Sequence, residues 1–578
     1  MTRSTRRPLG LAVLLVVLGV VGWSAWLALQ VRAELVAAQS AVDRLQQHLT
    51  DDDTTERDRA VSDLTESATS ARDLTDGGWW TAMTWLPIAG DDAAAVRGLS
   101  SSLAEVSVDG LPPLLEVADQ LPQVQKKGRI DLETVARLEQ PVAQGSAAFD
   151  RAVADVSGVD SSDLAGAVRG RFDGYVKELR AAAGALADAE RTVELLPPVL
   201  GADGPRDYLL VFQNNAEVRG TGGLPGSWAR VHAEDGDLSI TSQGSARDFP
   251  VTQAPVPLSR EEIAVYNRQL GTFWLDANFT PDFPRAAELF SAHWDRRFPD
   301  QPIDGVISLD TVSLSYLLEG TGPISVGDVT LTPEAAVDQL LSEAYVGTTP
   351  EQQDLFFAAV SKAVFDQATA KVGDPLALVG ALRRSAAEGR LLLALEDDAV
   401  MEALGDSRVL GQVRGDDDET PHVDISLNDL TGSKMSYYLR SSAELDARSC
   451  EDGVQRLGGR FVLRQSIDPA VARELPDYVT GGGNFGTEPG SQTVFVRFHA
   501  PYDGTVEWVK LDGKNLYFKK VSIEGRPVAT FVALLSSVEP AVFTYEMTTG
   551  PGQTGDIELG VTPGVTPGDN DAVVDNAC

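Results

Sequence analysis

The sequence predicts a multidomain protein with an N-terminal transmembrane helix, an all-α membrane-proximal module, a central α/β domain and a C-terminal β-sandwich. Three observations lead to this fold class. Residues 9–29 contain no charged side chain, and a helix of that length crosses a bilayer at about 1.5 Å per residue. Residues 30–199 repeat their apolar side chains with helical spacing. From residue 200, strand patterns first alternate with helical patterns and then follow one another.

The apolar run also predicts the topology. Three arginines, Arg3, Arg6 and Arg7, precede it, so the positive-inside rule makes residues 1–8 a cytoplasmic tail and places the bulk of the chain outside the cell. A cleaved signal peptide is the alternative, but its apolar core is usually about 7–15 residues long and ends at a small-residue cleavage site. We therefore predict a single-pass protein of the cell membrane with an uncleaved signal anchor at 9–29.

The module at 30–199 begins with a heptad-like seam, which pairs either with a second copy of the chain or with the helices that follow. The seam residues are Val31, Leu35, Ala38, Val42, Leu45 and Leu49. Gly77 and Gly78 then precede an aromatic cluster at 79–88 that contains three tryptophans. We interpret this cluster as the buried end of a helical bundle, and contact with the lipid headgroups is the alternative.

Two further domains are predicted after Pro197 and Pro198. The apolar run 208–212 and the later run 303–309 have strand length and are separated by helical patterns, so residues 200–410 are predicted to form the α/β domain. Short strands punctuated by Gly and Pro follow, which predicts a β-sandwich at 411–560. Residues 561–578 are expected to be a flexible tail unless Cys578 ties them down.

Composition excludes some classes of partner and site. The chain has 48 basic and 85 acidic residues, a net charge of −37, which argues against binding to the phosphate backbone of nucleic acids. Five histidines and two cysteines occur without Cys-x-x-Cys or His-x-x-x-His spacing, so no classical zinc site is predicted. Cys450 and Cys578 lie in the extracytoplasmic part of the predicted topology, where a disulfide can form; two free thiols are the alternative.

The segment 213–227, QNNAEVRGTGGLPGS, is the candidate functional segment. It follows a predicted strand directly, and ligands bind at the carboxyl ends of strands in α/β sheets. Glycines expose backbone N–H donors, and the guanidinium of Arg219 suits phosphate or carboxylate. The expected ligand-binding residues are Asn214, Asn215, Thr221, Gly222 and Gly223. The alternative is a β-hairpin whose polar side chains hold a tight turn.

Several blocks of sequence resemble an uncharacterised family of large, single-pass, mostly actinobacterial envelope proteins, known as a domain of unknown function. The blocks are YLLVFQNNAEVRGTGGLPGSW (208–228), NFTPDFPRAAELF (278–290), IDGVISLD (303–310), LLEGTGPISV (317–326) and SKMSYYL (433–439). The resemblance covers roughly residues 200–560 together with the N-terminal anchor and helices. It implies a place in the cell envelope but no activity.

A more distant similarity is to the LytR-CpsA-Psr phosphotransferases, which implies a related central fold and transfer of a lipid-linked glycopolymer onto the cell wall with magnesium. Under this resemblance Arg219 and Arg247 would contact the anion, with Glu217 or Asp248 as general base or metal ligand. Two features depart from the pattern. Where the pattern has Arg-Ser-Asp-Thr, the nearest counterpart is Arg219-Gly220-Thr221, which lacks the aspartate, and the arginine pair expected after Tyr345-Val346 is absent.

The missing arginines weaken the enzyme interpretation, because arginine guanidinium groups neutralise the negative charge of a transferring phosphoryl group. We therefore predict an extracytoplasmic scaffold or binding module in cell-wall and glycopolymer assembly. Its expected partners are the membrane, a lipid-linked or cell-wall glycopolymer, and other envelope proteins. The alternative is a magnesium-dependent glycopolymer phosphotransferase.

Overall fold

The computed structural model describes residues 6–48, 54–87, 89–126, 128–370, 372–405, 407–413, 419–536, 539–568 and 572–578, with only the helical backbone described for 6–22. The chain divides into two compact units. The helical unit comprises Met1–Val124 and Leu132–Leu196, and the sheet unit comprises Gln125–Asp131 and Pro197–Cys578.

The helical unit is built on an antiparallel hairpin of its first two helices. Its helices are α1 (Arg6–His48), α2 (Thr54–Asp76), α3 (Gly78–Met83), α4 (Gly90–Glu105), α5 (Leu111–Gln120), α6 (Leu132–Ser157) and α7 (Gly166–Val199), with a π-helical turn at Val106–Gly110. Ala38 of the heptad seam is buried in one cluster with Ala41 of the same helix and Leu64 of α2, and the seam residue Val42 packs against that cluster. Arg44 near the end of α1 pairs with Asp63 near the start of α2 at 2.7 Å. The seam therefore packs on the next helix of the same chain.

The predicted fold class is wrong about the N-terminal transmembrane helix. Among the described residues, no helix is both long enough and apolar enough to span a membrane. The predicted span is part of α1 (Arg6–His48). Of its described side chains, Leu27 is buried in one cluster with Trp80 and Ser24 accepts from the Trp79 indole at 3.1 Å, whereas Trp23, Trp26 and Leu29 are exposed. Side chains at 9–22 and the tail at 1–5 lie outside the described residues.

The sheet unit is longer and mixes helices with strands. Its helices are α8 (Arg260–Tyr266), α9 (Gln269–Thr272), α10 (Phe283–Arg297), α11 (Thr311–Thr321), α12 (Ala336–Leu341), α13 (Pro350–Ala370), α14 (Pro375–Ala387), α15 (Asp398–Leu404), α16 (Pro469–Ala472) and α17 (Asp477–Thr480). Its first strands are β1 (Gln125–Lys126), β2 (Arg129–Ile130), β3 (Arg206–Arg219), β4 (Gly222–Glu234), β5 (Asp237–Ser245), β6 (Gly305–Asp310), β7 (Ile324–Val326), β8 (Val329–Leu331) and β9 (Leu391–Leu395). The ribbon β1–β2 belongs to this unit because Ile130 N–H donates to Gly236 C=O at 2.9 Å.

The central sheet has the strand order β5-β4-β3-β6-β9. Strands β3 and β6 are parallel, and the other neighbours are antiparallel. Alternate residues of β3 point to opposite faces, as strand geometry requires. Leu209 and Val211 pack with Phe290 and other residues of α10, whereas Leu210 lies in a cluster with Phe365 of α13. The sheet is therefore a middle layer between helices.

The C-terminal strands form two facing sheets. They are β10 (His422–Asp429), β11 (Leu439–Glu451), β12 (Val454–Gln465), β13 (Gln492–His499), β14 (Thr505–Leu511), β15 (Lys514–Asn515), β16 (Val521–Ile523), β17 (Arg526–Leu535), β18 (Ala541–Thr548), β19 (Ile557–Val561) and β20 (Ala572–Val574). One sheet has the order β16-β17-β13-β10-β19-β20 and the other β11-β12-β18-β14-β15. Phe461, Phe498 and Phe543 are fully buried in the core of this sandwich.

The end of the chain is tied back to the sandwich. Cys450 on β11 and Cys578 form a disulfide across 128 positions of sequence. Upstream of it, the guanidinium of Arg390 donates to the carbonyls of Gly564 and Thr566, each at 2.9 Å. The segment expected to be flexible unless Cys578 tied it down is therefore held at both of these points.

Candidate functional site

The candidate segment 213–227 forms a β-hairpin inside the sheet unit. Strand β3 pairs antiparallel with β4 up to Arg219 and Gly222, and Gly220-Thr221 makes the turn. The register breaks between Asn214 and Val218, so residues 215–217 bulge out of the ladder. A bulge redirects side chains away from the sheet faces. The segment thus adopts the hairpin alternative and is not an open loop at the end of a strand.

The hairpin tip lies between the central sheet and the sandwich. Val218 is part of the sandwich core, and its N–H donates to Ser436 Oγ at 3.1 Å. Gly220 N–H donates to Asn428 Oδ1 on β10 at 3.1 Å, and Thr562 Oγ donates to Gly220 C=O at 3.0 Å. A Cβ at Gly220 would lie 2.6 Å from the Thr280 carbonyl oxygen, so only glycine fits there.

Arg219 is buried, with 5% of its surface exposed, and its donors are taken up by the protein. One nitrogen is 2.9 Å from Glu217 and 3.6 Å from Asp276. The others donate to backbone carbonyls, including Leu275 at 3.3 Å and Val218 at 3.1 Å. The guanidinium also lies 5.0 Å from the ring of Phe279.

Glu217 is held between two cations. Its second oxygen accepts from Lys434 Nζ at 2.7 Å, while the first accepts from Arg219. Burial alone would raise the pKa of Glu217, but Lys434 and Arg219 outweigh burial and hold that pKa below its usual value. Burial lowers the pKa of Lys434, whereas Glu217 raises it, and the net direction is upward. Both groups are therefore ionised as a buried pair.

Two further carboxyls of the same cluster have raised pKa values. Burial raises the pKa of Asp276 to about 6, against the opposing effect of Arg219. Burial and the neighbouring Glu217 raise the pKa of Asp429 to about 6. Asp429 also accepts from the N–H groups of Thr431 and Gly432 at 3.0 and 2.8 Å. We call Glu217, Arg219, Asp276, Asp429 and Lys434 the ionic cluster.

The residues predicted to bind a ligand bind other parts of the protein. Asn214 bonds to the Tyr345 hydroxyl, and Asn215 donates to Asp310 at 2.8 Å. The buried amide oxygen of Gln213 accepts from Thr221 Oγ at 3.1 Å and from Gly223 N–H at 2.8 Å. Gly222 has φ +129° and Gly223 has no room for a Cβ, because Asn214 C would lie 2.4 Å away. Both glycines are therefore required by the turn.

The second predicted arginine site is elsewhere. Arg247 is half exposed and lies 3.4 Å from Glu351 and 3.3 Å from Asp354 on α13, and it shares none of the partners of Arg219. Asp248 accepts from Ser245 N–H at 3.0 Å and from the Trp228 indole at 3.1 Å, so it closes a short helical turn. The structure does not join these residues to Glu217 and Arg219 in one site.

Sequence reasoning missed the partners that complete the cluster. Asp276 and Asn278 come from the segment before α10, Asp310 ends β6, and Lys434 lies in the SKMSYYL block. Asp310 also pairs with buried Arg390 at 2.7 Å. Three of these residues, Asn278, Asp310 and Lys434, lie in sequence blocks used for the family resemblance, but an isolated Asp, Asn or Lys gave no sign of its partner.

Magnesium does not fit this arrangement. Both oxygens of Glu217 already contact cationic nitrogens, so a divalent cation would have to displace a fixed positive charge. In the part of the chain that the structure describes, no group of three or more His, Cys, Asp or Glu side chains is placed to hold a metal ion. We therefore derive no chemical step through a metal.

The hairpin, the central sheet and α10 define a mixed α/β domain with a buried ionic cluster. Residues 203–345 match the family model described as a protein of unknown function (DUF4012). This match confirms the predicted resemblance to an uncharacterised domain of unknown function over those residues. No curated protein and no solved structure matches the chain, and nothing in these comparisons supports the similarity to LytR-CpsA-Psr phosphotransferases.

Replacing Arg219 is expected to destabilise the chain far more than replacing Arg247. Arg219→Ala leaves Asp276 buried without its cation and Glu217 with Lys434 alone, and removing one partner of a buried ionic group costs about 3–5 kcal/mol. Arg247→Ala removes an exposed ion pair worth about 0–1 kcal/mol. Denaturant unfolding of both variants measures the difference. Equal losses would contradict the structural role that we assign to Arg219.

The raised pKa of Asp276 predicts a pH-dependent difference between wild type and Asp276→Asn. Its pKa is about 6 in the folded chain and about 4 when unfolded. The folded state therefore holds the proton more tightly, and this stabilisation is complete below pH 4 and lost as pH rises through 6. Between pH 4 and 7, the unfolding free energy of wild type should therefore fall by about 2 kcal/mol relative to that of Asp276→Asn. A pH-independent difference would show that Asp276 does not titrate in this range.

Proposed function

We propose that the chain is an extracytoplasmic scaffold or binding protein of the cell envelope that acts in glycopolymer assembly. The observation that supports a scaffold over a phosphotransferase is the internal neutralisation of Arg219 and Glu217. An arginine that binds a transferring phosphoryl group must present free N–H donors to it. Arg219 instead donates to Glu217 and to backbone carbonyls, and it is buried.

The disulfide supports the extracytoplasmic placement. Disulfides persist in oxidising compartments and are rare where thiols are kept reduced. The Cys450–Cys578 bond joins β11 to the end of the chain. It can therefore stabilise the sandwich only in an oxidising compartment. An acidic surface with a net charge of −37 is compatible with a partner bound at a local site and disfavours long-range attraction to polyanions.

Exposed tryptophans at one end of the helical unit support a contact with lipid headgroups. Trp79 and Trp85 are 40% and 84% exposed, and Trp23 is 53% exposed. Trp79 bonds to Ser24 on α1, so α3 and this part of α1 lie side by side. Tryptophan is enriched at the membrane–water interface, where its ring is buried and its N–H stays hydrated. We propose this end as the part of the chain that meets the membrane surface.

The enzyme alternative predicts a ligand response that the scaffold does not. Thermal unfolding of the full chain should be unchanged by inorganic pyrophosphate with magnesium, because a ligand that does not bind the native state cannot raise its stability. Wild type and Arg247→Ala should behave alike. A ligand-dependent rise in melting temperature that Arg219→Ala lacks would refute the proposed scaffold role of this segment.

Vesicles with brominated acyl chains test the lipid contact. Bromine quenches nearby indoles, so part of the emission of the full chain should be lost on mixing. Trp79→Phe with Trp85→Phe should remove about half or more of that quenched emission, because tryptophan gathers at the interface. Trp508→Phe in the sheet unit is the matched control and should leave it unchanged. Equal quenching in all three proteins would exclude this end as the contact.

A further inference from the structure

Four of the ten lysines of this acidic chain lie within eleven residues, Lys510, Lys514, Lys519 and Lys520. They surround the hairpin β14–β15 and the segment that follows it. Lys126, Lys362 and Lys434 each form an ion pair, whereas none of the four does so in the part of the chain that the structure describes. Unpaired cations gathered at one place mark a local positive site on a negative protein.

Aromatic side chains lie between these lysines. Tyr517 is 100% exposed, and Trp508 lies across from it with Lys510 Nζ 4.5 Å from its ring. Trp508, Lys510, Tyr517 and Lys520 line an open groove of about 490 Å³. The same groove contains Glu507, whose carboxylate accepts from the Thr505 hydroxyl at 2.6 Å. We call this surface the lysine–aromatic groove.

The exposed position of Tyr517 is fixed by its neighbours. Leu516 and Phe518 pack against the sandwich core, and Leu516 N–H donates to Val509 C=O at 2.9 Å. The ring of Phe518 lies 5.7 Å from that of Phe531. Because alternate side chains of an extended segment point to opposite sides, anchoring 516 and 518 turns Tyr517 and Lys519 to the solvent. The ring is thus presented on a supported backbone.

We propose that the lysine–aromatic groove binds an anionic polysaccharide, with sugar rings stacked on Tyr517 and Trp508 and acidic groups paired with the lysines. An aromatic face suits the apolar C–H face of a sugar ring, and Trp508 and Tyr517 line the same groove. Ammonium groups on flexible stems suit phosphate, sulfate or carboxylate groups at variable spacing. The inference rests on the proposed envelope function and specifies its partner.

Charge favours a thin polymer over a lipid surface at this site. A broad anionic membrane would face much of a chain whose net charge is −37. A single polymer strand only has to approach the groove, and at physiological salt charges beyond about 8 Å are largely screened. Anionic lipid is therefore an alternative outcome of the test.

Calorimetric titration of the full chain with dextran sulfate, uncharged dextran and polyacrylate tests the proposal. Dextran sulfate should bind most tightly, because it alone carries both sugar rings and charge. Lys520→Glu in the groove, combined with Lys514→Glu and Lys519→Glu beside it, should weaken this binding at least about tenfold, and Tyr517→Ala about threefold or more. All four positions are exposed, so folding should be preserved, and thermal unfolding checks it.

The matched controls change a lysine and an exposed aromatic side chain at positions outside the groove. Lys362→Glu on α13 and Phe485→Ala, both at exposed positions, should bind dextran sulfate like wild type. Binding by wild type that the groove variants do not reduce would overturn the groove and leave the envelope function standing. No binding of dextran sulfate at all would also overturn the groove, whereas the envelope function is tested separately by the pyrophosphate and vesicle experiments above. Equal binding of polyacrylate, or tighter binding to anionic vesicles, would overturn the sugar-specific proposal.

Discussion

The sheet unit depends on the buried pair between Glu217 and Lys434, because that pair carries the β3–β4 hairpin into the sandwich. Glu217 leaves the sheet at a bulge, and its two oxygens contact Lys434 and Arg219. Around this pair, Val218 enters the sandwich core and Gly220 bonds to Asn428 on β10. A buried pair of this kind is costly to break, since either partner alone would be left as an uncompensated charge. The Glu217–Lys434 pair therefore links the central sheet to the sandwich, which the sequence pattern predicts as two separate domains.

Much of the secondary structure could be predicted, because it depends on local spacing. The apolar run in β3, the helical spacing through α1 and α2 and the turn glycines of the sandwich each reflect a local rule. The heptad seam was also visible, although its partner was not. The predicted transmembrane helix was wrong, since among the described residues no helix is both long enough and apolar enough to span a membrane. Hydropathy counts apolar residues without their partners, and Leu27 of the predicted span is buried in one cluster with Trp80, some fifty residues further along the chain.

In the candidate site, too, the sequence does not show which residues contact one another, and here the residues are polar. Arg219 was predicted to contact an anion, but the side chain alone does not say whether its guanidinium group meets a ligand or a neighbouring residue. Its partner Asp276 and the partner of Glu217, Lys434, are distant in sequence. The bulge at 215–217 places Asn215 beside Asp310 and Glu217 beside Lys434. Because these partners are distant in sequence, no local pattern predicts the bulge. Both Arg219 and Arg247 were predicted from the sequence as anion contacts. The structure distinguishes them by burial, since Arg219 is buried and Arg247 is half exposed.

The proposed scaffold function is consistent with three features of the chain: an end held by a disulfide, aromatic side chains exposed at one end of the helical unit, and a group of lysines on the sandwich. The lysine–aromatic groove is supported by its own neighbours, Leu516 and Phe518, which pack against the sandwich core. Chemistry at Arg219 is not needed for such a protein. The residues that matter for binding are then the exposed ones, which the family resemblance does not highlight.

Native-state hydrogen exchange of the hairpin amides is the most direct measurement of whether this segment is structural. The N–H groups of Val218 and Gly220 bond to Ser436 and Asn428. They should therefore exchange only with the same large opening free energy as the amides of β10 and β13. Ligand-binding loops come from the least stable parts of a fold and exchange by small local openings. Fast exchange at Val218 and Gly220, with β10 still protected, would contradict the assignment of the hairpin as the structural link.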